Sequence, residues 1–180
     1  MEDSSNILAE LSSLVGIFFD DVQRLGLIEE VAFANVPEPQ RSLLNHEHHM
    51  TVTVEKFHSS PVDVKVLNLK SSDNTYSREI LLNKKDSGSV VQYGIVRLNF
   101  EYLSDEVRSE IEGQQTPLGR ILISHNVLRK VKLLGLYRIE PGERLQEVCN
   151  VGSDQLLFGR TALIYCDDQP AVELLEVVVV

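Results

Sequence analysis

The sequence predicts an α+β fold: a mostly antiparallel sheet with helices packed against it. Two long stretches, "TYSREILLNKKDSGSVVQYGIVRLNF" and "DQLLFGRTALIYCDDQPAVELLEVVVV", each read as strand, turn and strand. Hairpins of this kind outnumber strand–helix–strand stretches, which argues against a doubly wound parallel sheet. An amphipathic helix precedes them, with shorter helical stretches between. No internal linker has the length or composition to divide the chain, so residues 1–180 read as one domain.

The elements follow in order. In "SSNILAELSSLVGIFFDDVQRLG", Leu8, Leu11, Val15, Phe18, Phe19, Val22 and Leu25 recur at helical spacing. Ser4 or Ser5 can cap that helix, and Gly26 lies near its expected end. Pro37 and Pro39 mark a loop, followed by a short helix or turn from Arg41 to Asn45. "MTVTVEKF" and "PVDVKVLNLK" alternate as strands. The first long hairpin turns at Asp86-Ser87-Gly88 and the second between Asp167 and Pro170. "LSDEVRSEIEG" reads as a short helix beginning at Ser104. "QQTPLGRILISHN" offers another helix start, with Thr116 as cap and Pro117 in the first helical position. "KVKLLGLYRIEP" contains a strand.

Composition narrows the function. Against 17 Lys+Arg stand 27 Asp+Glu, for a formal net charge of -10. So acidic a chain argues against a general nucleic-acid binder, while a few converging arginines could still dominate the field around a small anion. Cys149 and Cys166 have neither metal spacing nor a disulfide framework and read as core thiols of a reducing compartment. The acidic start lacks a signal peptide's basic region and no apolar run is long enough for a membrane span, so a cytoplasmic location is expected. Nucleotide-binding glycine motifs and the GxSxG elbow are absent.

Charges on apolar strand faces are the strongest local signal. With a period of two, Glu176 shares a face with Val172, Leu174, Val178 and Val180. A carboxylate there must find a cation, hold a proton or meet a ligand. Arg78 shares a face with Tyr76, Ile80 and Leu82, and Arg160 with Phe158, Ala162 and Ile164. Guanidinium stays charged when buried and grips carboxylates bidentately. Two accounts therefore stand: a direct Arg78–Glu176 ion pair, or an enclosed anion pocket. "TPLGR" adds a helix start where Gly119 permits close backbone approach. The turn "NHEHHMT" places His46, His48 and His49 together, but it departs from the helical zinc pattern and is expected to hold no metal.

Taken in order, "HHMT", "YSREILL", "QQTPLGRIL" and "FGRTALIYCDDQPAVELLEV" resemble the chorismate pyruvate-lyase (4-hydroxybenzoate synthetase) family, in its shorter cyanobacterial, plastid and archaeal group. The resemblance runs from about Leu43 to the C-terminus. It implies a ligand pocket enclosed beneath helical flaps, with chorismate as substrate, pyruvate and 4-hydroxybenzoate as products, and no cofactor. It also implies catalytic roles for Arg78 and Glu176, and substrate contacts from Met50, Arg78, Leu118, Gly119, Arg160 and Glu176. The alternative is a non-catalytic domain that binds an aromatic carboxylate, like the effector-binding domains of bacterial transcription regulators.

Overall fold

A computed structural model describes residues 4–127 and 129–180, with side chains from residue 10 onward. Its centre is a seven-stranded sheet in the order β1-β5-β6-β7-β4-β3-β2, antiparallel throughout. The strands are β1 (Gly26–Glu30), β2 (Val62–Ser71), β3 (Thr75–Lys84), β4 (Val90–Asn99), β5 (Arg129–Pro141), β6 (Leu157–Cys166) and β7 (Gln169–Val178). The two expected hairpins are β3–β4 and β6–β7, and they meet in the middle of the sheet through β4 and β7. Asp167 and Asp168 turn the second hairpin, both with positive φ, as a two-residue connection matched to strand twist requires.

Helices cover both faces. On one face, α1 (Ser4–Val15) and α6 (Glu143–Cys149) bury Leu11, Leu14, Val15, Leu145 and Cys149 against Tyr93, Ile95, Tyr137, Leu175 and Val177. On the other lie α2 (Gln40–Leu44), α3 (Met50–His58), α4 (Asp105–Glu112) and α5 (Leu118–Ser124). This second layer forms two apolar clusters. One gathers Leu43, Leu44, Met50 and Val54 over Ile80, Leu82 and Phe158. The other gathers Val107, Ile111, Leu118, Ile121 and Leu122 over Tyr76, Val96, Ala162, Ile164 and Leu174.

The structure corrects several local expectations. "MTVTVEKF" is helix α3 rather than a strand. Its alternating Thr and Val imitate a strand, but Met50, Thr51 and Val54 fall on one helical face and are buried, and Ser59 ends the helix with φ 50°. The first helix stops at Val15, well short of Gly26. Gly26 instead opens the edge strand β1 with φ +131°, where a Cβ would lie 2.0 Å from the Glu140 carbonyl oxygen. Leu8 lies outside the residues whose side chains are described. Helix α5 starts one residue later than expected, with Pro117 as its N-cap and Leu118 as its first residue. Ser104 caps α4 as expected, its hydroxyl accepting from the Val107 N–H. Neither β1 nor α6 stands out in the sequence.

Candidate functional site

Arg78 sits mid-strand in β3, 1% exposed, on the face covered by α3 and α5. Strand alternation puts it beside Ile80 and Leu82. Its Nε and Nη1 have no hydrogen-bond partner among the described residues. Burial pushes its pKa below the ordinary value, and the neighbouring Tyr76 phenol offsets part of that effect. Arginine nevertheless stays protonated, so Arg78 is a buried cation facing open space.

Glu176, 6% exposed on β7, answers the question of its partner differently from the direct pair considered above. Arg160 Nε donates to Glu176 Oε2 at 2.7 Å across the β6–β7 ladder, where the two residues are directly opposite. Arg78 lies two strands from Glu176, since Glu176 faces Gly94 while Arg78 faces Val96 on β4. That separation is about 10 Å across the sheet and about 7 Å along it, too far for direct contact between backbone positions and wide enough for a small molecule.

The intervening space is a cavity of about 40 Å³ at the seam between the two apolar clusters. Met50, Val64, Ile80, Leu82, Val96 and Leu174 give it an apolar body. Arg78, Glu176, Gln92 and His49 supply polar groups, and Pro117, Leu118 and Gly119 close it from α5. The packing is tight at that point: a Cβ on Gly119 would lie 3.1 Å from both His49 Cβ and Thr51 Oγ1. Two further buried atoms on the lining lack partners among the described residues, His49 Nε2 and Gln92 Oε1. Such concentrated unsatisfied polarity is unusual in a protein interior and marks a place where another molecule can supply the missing bonds.

Met50, Arg78, Leu118, Gly119 and Glu176 therefore come together around one cavity. Arg160 stands apart. Besides Glu176 it donates through Nη1 to the carbonyls of Leu44 at 3.1 Å and His46 at 2.7 Å, and through Nη2 to His48 at 3.3 Å. It is absent from the lining, and its work is to fix the loop that leads into α3. His46 serves the same loop, with Nε2 2.7 Å from the Leu43 carbonyl, while His48 is exposed. Among the described residues no group of three or more His, Cys, Asp or Glu side chains is arranged to hold a metal ion.

The sequence reading did not assign the places of three charged or polar residues of consequence. His49 and Gln92 line the cavity; Gln92 could have been found because it shares its strand face with Gly94 and Val96. The third, Glu79, is 0% exposed on the opposite sheet face. Arg144 grips it bidentately at 2.9 and 2.8 Å, and Tyr93 and Asn68 complete its bonds at 2.9 and 2.6 Å. With both oxygens engaged, it ties α6 to the sheet and offers nothing to a ligand.

No protein-family model and no curated relative matches the chain. Solved structures do. PhnF from Mycobacterium smegmatis superposes with a TM-score of 0.57 at 11% identity, over 74% of this chain and 64% of that one. The effector domain of PhnF gives 0.53 at 12% identity, over 73% and 87%. YydK from Bacillus subtilis, a possible transcriptional regulator, gives 0.52 at 12% identity, over 68% and 59%. The chain thus spans about three fifths of the length of PhnF and YydK. The shared fold is the expected α+β arrangement, an antiparallel sheet flanked by helices that enclose a pocket.

These findings correct the family expectation. The solved structures that the chain resembles include PhnF, the PhnF effector domain and a possible transcriptional regulator, and these overturn the expected kinship with chorismate pyruvate-lyases. Lyase activity, chorismate as substrate, 4-hydroxybenzoate as product and the catalytic roles of Arg78 and Glu176 fall with that resemblance. Glu176 itself is engaged in a buried ion pair with Arg160. No helix among the described residues is long and apolar enough to cross a membrane.

Proposed function

We propose that residues 1–180 form one ligand-binding domain that takes a small carboxylate, with an apolar ring-sized body, into the cavity and performs no chemistry on it. One observation carries this reading: the Arg78 guanidinium is buried, faces the cavity and holds no partner on Nε or Nη1 among the described residues. Each of these N–H groups can donate a charge-assisted hydrogen bond to an oxygen of an anionic ligand. The apolar lining accommodates the body of the acid, and Glu176, already neutralised by Arg160, leaves the field of Arg78 uncancelled. Met50, Leu118 and Gly119 contact the ligand from the roof in this scheme, and Arg160 acts as a positioning residue. The fold likeness to the PhnF effector domain supports a sensing role rather than turnover. Two buried free thiols suit the cytoplasm.

Calorimetric titration tests the proposal, with benzoate as probe and benzamide as its neutral counterpart. A hydrogen-bonded charge pair contributes about 1.5–3 kcal/mol, so benzamide and the Arg78→Met variant should each bind on the order of tenfold to a hundredfold more weakly. Equal binding of both probes, or full benzoate affinity in Arg78→Met, would refute it.

A further inference from the structure

The cavity of about 40 Å³ is smaller than its proposed occupant needs. Ligand pockets usually offer roughly 300–1,000 Å³, and this one has room for only a few waters. A second, open cleft of about 470 Å³ lies outside it, lined by Glu47, His48, His49, Val52, Ile123, Arg129 and Val131. His49 belongs to both linings. The recess beside Glu55 and Arg120 and the apolar groove along α2 and α3 share no lining residue with the cavity. His49 is thus the one lining residue that the inner cavity shares with the outer cleft.

We infer that His49 is a swinging gate and that the cleft beside Arg129 is an outer subsite where an anionic ligand first docks before passing inward to Arg78. The inference rests on the reading of the cavity as a ligand site. His49 is 8% exposed, yet its ring makes no hydrogen bond among the described residues: Nε2 is buried without a partner there, and the side chain does not cap α3. Rotation about its side-chain torsions therefore costs no hydrogen bond to the described residues. Its backbone is anchored, because Arg160 binds the carbonyls of His46 and His48 just before it. The loop can stay in place while the ring moves. Displacing the ring joins the two spaces into one pocket of ordinary ligand size. Burial holds the imidazole neutral, its pKa pushed down to about 4, with nearby Arg129 contributing in the same direction. A neutral ring places no charge in the path of an incoming anion. Arg129 is partly buried, bonds through Nη1 to the Val127 carbonyl at 3.0 Å, and pairs with no carboxylate among the described residues. The exposed Glu47 on the rim is the only acid in the cleft lining.

Thiol access measures the route without any ligand. Val96→Cys places a thiol in the cavity lining, and mass spectrometry separates its modification from that of the buried Cys149 and Cys166. In this background His49→Ala should speed modification by a small methanethiosulfonate at least tenfold, roughly the effect of removing a local opening step. His49→Phe, which keeps a ring, should stay within about twofold, and Glu55→Gln, which loosens α3 from α5 at the Glu55–Arg120 pair, should do the same. Arg129→Gln should lower the ratio of anionic to cationic reagent rates severalfold. Faster modification in Glu55→Gln with no change in His49→Ala would place the route between α3 and α5 and overturn the gate. An unchanged ratio in Arg129→Gln would overturn the outer subsite. Failure of the intact protein to bind benzoate would instead sink the ligand-site reading and leave these rates as they are.

Discussion

Replacing Arg78 with methionine should make the ligand-free protein more stable, while the same replacement at Arg160 should make it much less so. The two arginines occupy similar places on the first strands of the two long hairpins, and each is 1% exposed. Their surroundings differ. Arg78 keeps two buried N–H groups without partners among the described residues, and an unsatisfied buried donor costs about 1–3 kcal/mol. Water in the cavity recovers part of that, so methionine, which retains most of the stem's packing, should gain about 1–2 kcal/mol. For a chain of this size that is a rise of about 2–8 °C in Tm. Arg160→Met strands Glu176 as a buried carboxylate and frees the carbonyls of Leu44, His46 and His48. Breaking a buried pair from one side costs about 3–5 kcal/mol, a fall of about 6–20 °C. Calorimetric melts and urea titrations in buffer free of phosphate and carboxylates give both numbers. If Arg78→Met lost as much stability as Arg160→Met, the claim that Arg78 lacks an internal partner would be wrong.

Further predictions concern the roof, the opposite face and pH. Gly119→Ala puts a Cβ against His49 and Thr51, so it should cost about 1–3 kcal/mol in urea unfolding and weaken benzoate binding. Arg144→Met leaves the fully buried Glu79 without its cation and should cost about 3 kcal/mol or more, with benzoate affinity per folded molecule unchanged. His46 and His49 both have pKa values pushed down to about 4, chiefly by burial and secondarily by Arg160 and Arg129 respectively. The unfolded chain takes up these protons from about pH 6.5 downward and the folded chain only near pH 4. Stability carried by the neutral rings is thus level above pH 7 and falls as pH drops from 6.5 toward 4. His49→Gln should flatten that decline in urea midpoints, and parallel curves would contradict the assignment.

The parts of the site that follow from strand alternation were legible in the sequence. A period of two put Arg78 and Glu176 on apolar faces, and Pro117, Leu118 and Gly119 share the cavity lining with them. The choice of partner was not legible. It depends on strand order, which sets β6 beside β7 and leaves β3 two strands away, and no local pattern encodes that order. The strand reading of "MTVTVEKF" failed for a related reason. Thr and Val favour strands locally, but the sheet edge is taken by β2, and burying Met50 and Val54 over the cavity face favours a helix. The mistaken family reading came from short matching segments that fit this α+β scaffold, and a scaffold can carry a binding pocket with or without chemistry.

The most direct test is a crystal structure of the protein with 4-bromobenzoate, whose bromine locates the ring without ambiguity. The carboxylate should lie within hydrogen-bonding distance of the Arg78 guanidinium, with the ring between Ile80, Leu82, Val96 and Leu174 and the Arg160–Glu176 pair intact. A carboxylate bound elsewhere, or an Arg78 that has turned to meet a protein carboxylate while the cavity stays empty, would contradict the account.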